Sequence, residues 1–422
     1  MVSRNLALPM LPIEILVMAF SLLPHTRDVH SVMLSCKRLH EVVSGFEADI
    51  SFNILQREFD PERLPMAVAR YAAETAPWKQ PMKRKEFTQD IAATYEEKIV
   101  AFCERYLRRR RDSEVTLKRC DSTLAMAHGI FSFHVPVARM SRFFGNSIDD
   151  DDAYFAGRDA ISNEQQVEAM TPTELMRVEK AFYIIDIIHN LFILRPKTRG
   201  GQDRPESGDH DTAFTKFWQY FSPWENRQVE VITSWIAISM KTVFKGIYFR
   251  RMVYREDFFP QDRRIEVLLL LGVAAMDAIV VRGKFKPQGY KRAIDGSCID
   301  LCRHQYRCRT STYDRIYFDQ EAVKGTSDAL LKDCDYQKYD TDQDPGPRDA
   351  WLYGLYWRRH TGVLGGQLRQ RLSRDPMGYA KLKLAVFWDR ERLSRNFGAL
   401  FPTHEEMVEA AKSDSHFIPL IR

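Results

Sequence analysis

Apolar positions recur at steps of three and four in one segment of the chain after another, which is the helical period. The first segment, Ile13 to Leu23, is apolar almost all the way round. Only Glu14 and Ser21, seven apart, interrupt it, and they share one narrow polar stripe. Pro12 stands where a first helical turn tolerates it, and Pro24 ends the segment. A surface helix needs one apolar face, so this one carries more apolar surface than a short unit can cover by itself. A second helix is expected from Thr26, a candidate N-cap with Asp28 in the first turn. Along it Val29, Val32, Met33, Cys36, Leu39 and Val43 line one face, and Lys37 and Arg38 come late.

Similar signals mark the rest of the chain. Asp60-Pro61 predicts the start of a helix running to about Ala76. Phe87 to Arg111 reads as a long helix with Ile91, Tyr95, Ile99, Phe102, Tyr106 and Leu107 near one face. Thr171-Pro172-Thr173-Glu174 has the spacing of a capping box. It opens a helix whose stripe is Leu175, Val178, Phe182, Ile185, His189 and Phe192, with His189 read as a core histidine. Ser222-Pro223-Trp224-Glu225 repeats the signal before an apolar, aromatic run to Phe244. Ile265 to Val281 reads as a buried core helix, short for a membrane span and carrying Glu266 and Asp277. Lys381 to Arg395 reads as a helix with Phe387 and Trp388 inward and its charges outward, and Thr403 to Glu406 opens a final short one. Mobile loops are expected near 145–165, 195–212 and 335–350. The expected fold is all-α: an N-terminal helical unit over 8–48, then a large, mostly helical domain over 49–422.

Composition narrows the function classes. With 45% hydrophobic and 28% charged residues the 422-residue chain reads as a soluble globular protein, and a net charge of +5 does not call for nucleic acid. The basic run Arg108 to Arg111 reads as a cationic helix end, its field diluted by Asp112 and Glu114. Seven scattered cysteines suit a reducing compartment, cytoplasm or nucleus. The apolar N-terminus is interrupted by Glu14 and lacks a small-residue cleavage pattern, so it is not read as a signal peptide. Asp149 to Asp152 are consecutive, so their carboxylates diverge, and a solvated loop is expected there. Cys298, Cys302, His304 and Cys308 are zinc-ligand types at the wrong spacing, and are read as structural thiols. The chain has no phosphate-binding glycine loop, no H-E-x-x-H and no nucleophile elbow. No catalytic residue, cofactor or metal is therefore expected.

The stretch LPIEILVMAFSLLPHTRDVHSVMLSCKRLHEVV, residues 11–43, resembles the F-box. That motif runs L-P-x-E-I-L, an apolar helix, a turn ending in Asp-Leu, then a helix with V-C-[KR]-R. The matching residues are Leu11, Pro12, Glu14, Ile15, Leu16, Leu23, Asp28, Cys36, Lys37 and Arg38. The chain departs from the motif at Ala19, Val29, Ser35 and Leu39. The later blocks ELMRVEKAFY, FSPWENRQVEVI, DPGPRDAWLYG and VFWDRERL resemble F-box proteins of filamentous fungi. The resemblance implies a non-catalytic substrate receptor of a cullin–RING ubiquitin ligase. It would dock on a Skp-type adaptor, and through it a cullin, and hold an unidentified protein target. The adaptor-facing residues so implied are Leu11, Pro12, Ile15, Leu16, Phe20, Leu23, Val29 and Val32. An enzyme sited in the helical domain and a non-degradative F-box scaffold are the alternatives. No membrane or nucleic-acid partner is expected.

Overall fold

The computed structural model describes residues 8–76, 89–108, 117, 119–150, 169–191, 213, 216–222, 224–233, 235–236, 239, 263–282, 344–351 and 384–397. Among these residues every regular element is a helix and there is no strand, so the fold is all-α. None of the described helices is long and apolar enough to cross a membrane. The Cys298 to Cys308 group, the 195–212 loop, residues 352–359 and the helix expected at Thr403 lie outside the described residues.

Two compact units divide the chain: Met1–Trp78 with Ala101–Pro136, and Lys79–Val100 with Val137–Arg422. The N-terminal unit therefore extends well past residue 48. Its helices are α1 (Ile13–Ser21), α2 (Thr26–Ser35), α3 (Lys37–Gly45), α4 (Glu47–Glu58) and α5 (Leu64–Thr75). It is completed by the C-terminal end of α6 (Gln89–Tyr106) and the first half of α7 (Leu124–Asp150). Leu16, Phe20, Val29, Leu39, Val42, Val43, Ile50 and Ile54 form the buried core of the hairpin region, with Leu124 and Phe131 packed against it. The helix expected from Thr26 to Val43 is two helices, because Cys36 is extended (φ −161°, ψ 158°) and interrupts the helical path. Both halves still turn their apolar positions to one core, as the spacing predicted. Thr26 is the first helical residue and gives α2 no side-chain cap. Likewise Asp60 does not cap α5: residues 61–63 form a turn, and the Asp60 carboxylate accepts from Arg63 Nε at 2.8 Å.

Close packing joins α5 and α7. A methyl group on Gly129 would come within 2.6 Å of the Tyr71 ring, so only a glycine fits there. The Arg70 guanidinium lies 3.6 Å from the centroid of the Phe133 ring.

In the second unit α8 (Pro172–Leu191) is buried on every side from Met176 to Ile188. The sequence predicted a single apolar stripe; the structure surrounds this helix instead, and charged residues are buried with the apolar ones. An aromatic cluster packs on it, with Phe144 5.2 Å from Trp235 and 5.6 Å from Phe387, ring centre to ring centre. The capping box at its start is present: the Thr171 N–H donates to Glu174 Oε2 at 3.0 Å and the Glu174 N–H to Thr171 Oγ1 at 3.2 Å. The second box, Ser222 with Glu225, closes in the same way at 2.8 and 3.2 Å.

The core helix expected from Ile265 is present as α9 (Arg263–Val280) but is not continuous. Gly272 takes φ 71°, ψ 160° and splits it, and the Val273 N–H donates to the buried Asp186 carboxylate at 3.0 Å. That carboxylate does the work of an N-cap for the second stretch. Asp277 is fully buried between Arg139, at 2.9 and 2.7 Å, and Arg282, at 3.0 Å. The hydrogen bond to Asp277 raises the Arg139 pKa above its ordinary value, against the opposing effect of burial.

The expected helix over 381–395 is also interrupted. A 3₁₀ turn, Ala385–Phe387, is followed by extended Trp388 and then α10 (Arg390–Phe397). Phe387 and Trp388 point inward as predicted, but Arg392 does too, being 2% exposed. Part of the loop expected near 335–350 is helical, since residues 346–351 form a turn of helix. Of the loop expected near 145–165, residues 145–150 are helical, since α7 runs to Asp150, and the rest lies outside the described residues.

Candidate functional site

Large apolar side chains in water are concentrated in one place. Of ten exposed large hydrophobic residues among those described, eight lie between Leu8 and Phe46: Leu8, Met10, Ile13, Ile15, Met18, Leu22, Leu34 and Phe46. Ile15 and Met18 on α1 and Leu22, at its C-cap, follow one another at helical steps and form one stripe. They are 41%, 56% and 65% exposed. Met10, just ahead of α1, is 68% exposed. Most monomeric proteins do not leave apolar surface contiguous in this way unless something covers it.

The stripe is held rigid from behind. Leu16 and Phe20, on the opposite side of α1, are 0% and 2% exposed and anchor it in the core. Arg57 of α4 donates to the carbonyls of Ser21 and Leu23, both at 2.6 Å, and so satisfies the C-terminal end of α1. Arg38 of α3 donates to the Leu11 carbonyl at 3.1 Å and fixes the approach to the helix.

The structure divides the eight residues that the motif pointed to. Leu16, Phe20 and Val29 are core residues and offer no surface to a partner. Ile15 and Pro12 are exposed, and Leu11, Leu23 and Val32 are half-buried at the edge of the core. Met10, Met18, Leu22 and Leu34 are also exposed, and the motif does not point to them. The seven-residue spacing from Ile15 to Leu22, with Met18 between, is a signal that could have found the stripe. Nothing in the sequence distinguishes it from the Leu16–Phe20 face, because both are apolar.

Between α1 and α4 lies a groove of about 610 Å³ with Ile13, Val17, Met18, Leu22 and Phe46 in its apolar wall. Its polar residues are mostly engaged: Asp49 pairs with Arg119, Asn53 donates to Ser21 Oγ at 3.2 Å, and Arg57 holds the α1 carbonyls. Glu14, also on the groove, is exposed and has no hydrogen-bond or ion-pair partner among the described residues.

A second cluster is polar and buried. Glu174, fully buried, accepts from the Asp389 N–H at 3.1 Å and pairs with Arg392. Arg177 donates to Asp389 Oδ1 at 2.7 Å and to the Phe387 carbonyl at 2.8 Å, while the Thr171 hydroxyl donates to Asp389 Oδ2 at 2.8 Å. These groups pair with one another and fasten the 384–397 segment to the start of α8. Among the described residues no three His, Cys, Asp or Glu side chains converge as a metal site.

No family model matches the chain. Comparison with curated proteins and with solved structures returned no match either.

Proposed function

We propose that this chain is an F-box substrate receptor, docking on a Skp-type adaptor and presenting a protein target to a cullin–RING ubiquitin ligase. The observation that carries the reading is the exposed apolar stripe of Ile15, Met18 and Leu22, with Met10 exposed just ahead of it, on a segment whose sequence follows the F-box pattern. Such a stripe buried against a partner helix contributes roughly 25 cal/mol per Å² of apolar area removed from water. In this role the receptor supplies proximity and orientation, and transfer occurs on another subunit. The target-holding function falls to the second unit, whose occupant is an unidentified protein.

The test is co-purification of the full chain with a Skp-type adaptor. Deleting residues 1–59 is a poor control, because it removes Ile50, Ile54 and Leu55 from the core of the same unit. Met10→Glu and Ile15→Glu change exposed positions instead. The expected result is that wild type co-purifies and that the double variant, with an unchanged helical circular dichroism spectrum, does not. A folded wild-type chain that fails to bind the adaptor would sink the reading.

A further inference from the structure

We propose that the α1–α4 groove is a second contact for the adaptor, receiving an apolar side chain that carries a lysine or arginine beside it to meet Glu14. The inference rests on the adaptor reading above and extends it to α4, which follows the stretch that resembles the F-box. Three observations support it. The groove is continuous with the stripe, since Met18 and Leu22 belong to both. A helix seated on Ile15, Met18 and Leu22 therefore reaches the groove without a new docking event. Its volume, about 610 Å³, falls within the range of pockets that enclose a ligand. Finally, its charges are unequal. Asp49, Asn53 and Arg57 have partners within the unit, and Glu14 has none among the described residues.

Glu14 chooses among occupants. A purely apolar occupant would strip water from this carboxylate and return nothing, which is costly. A second copy docked groove to groove would bring two Glu14 carboxylates towards each other across the two-fold axis. An occupant that pairs an apolar anchor with a cation fills the wall and compensates the charge.

The experiment is titration calorimetry of the full chain with a purified Skp-type adaptor, at low and at high salt. Phe46→Glu and Glu14→Lys alter the groove; Ile15→Glu alters only the stripe. Both groove variants are expected to weaken binding about tenfold or more. Glu14→Gln should weaken it less and flatten its salt dependence. Circular dichroism should be unchanged, since Glu14 and Phe46 are exposed. If Ile15→Glu abolishes binding while Phe46→Glu and Glu14→Lys leave the Kd unaltered, the groove inference is wrong and the adaptor reading stands. If the wild-type chain does not bind, the adaptor reading fails and takes the inference with it. A free chain that light scattering finds dimeric, and that Phe46→Glu makes monomeric, assigns the groove to a second copy and overturns the proposal.

Discussion

Between Met10 and Leu22 the chain leaves large apolar side chains in water, while around Glu174 it takes charged side chains out of water. Each region reverses the usual distribution, and each is costly unless compensated. The difference lies in where the compensation comes from. Glu174 is met entirely from within the chain, by the Thr171 and Asp389 N–H groups and the Arg392 guanidinium. Among the described residues the α1 stripe has no such supply: they cover the Leu16–Phe20 side and leave Ile15, Met18 and Leu22 exposed. A buried cluster whose charges pair within the chain is compensated by the fold itself. An apolar stripe left in water on a helix anchored from behind is instead open to a partner.

The comparison can be tested by substitutions of decreasing effect. Glu174→Ala should be the most damaging, costing about 3–5 kcal/mol, because it leaves the Arg392 cation buried without its partner. Urea denaturation measures this, and adding Arg392→Met should recover much of the loss. A Glu174→Ala variant as stable as wild type would mean that the cluster contributes nothing to the fold.

Leu16→Ala should follow closely, at about 2–5 kcal/mol, because it opens a cavity in the hairpin core. Gly272→Ala is expected to cost about 1–3 kcal/mol, since its φ of 71° strains any residue with a side chain. The added methyl would also lie 3.2 Å from the Asp186 carboxylate and 3.3 Å from the His189 ring. A thermal melt is sufficient to read both.

Arg57→Ala removes two hydrogen bonds to the Ser21 and Leu23 carbonyls and should cost about 1 kcal/mol. Hydrogen exchange should locate its effect at the C-terminal end of α1. Leu22→Ala closes the series, with a stability change within about 0.5 kcal/mol. Leu16 and Leu22 are six residues apart, one in α1 and one at its C-cap, and a large gap between their effects separates the core side from the exposed side. Equal effects would show that the stripe is covered within the chain itself.

Periodicity and caps predicted much of the architecture. The boxes at Thr171 and Ser222 formed with the partners that their spacing named. The face from Val29 to Val43 met one core even though Cys36 breaks the helix beneath it. The misses have physical causes in common. The stripe expected on α8 became a helix buried all round because other segments pack on what looked like its polar side, and Arg392, expected outside, came in to pair with Glu174. The partners of Glu174 and Asp186 lie 218 and 87 residues away, which no local pattern reports. The residues that the motif implies fall on both sides of α1, with Leu16 and Phe20 in the core and Ile15 in solvent, because both sides are apolar.

The sequence by itself determined that this protein is helical, where several helices begin, and that α1 is too apolar for a short unit to cover. Those properties are local, set by side chains within a turn or two of one another. Only the tertiary structure decided which side of α1 is core and which is free, where the N-terminal unit ends, and which charges are buried. Those depend on long-range contacts, above all the packing of α3 and α4 against Leu16 and Phe20 and the return of residues 384–397 to α8.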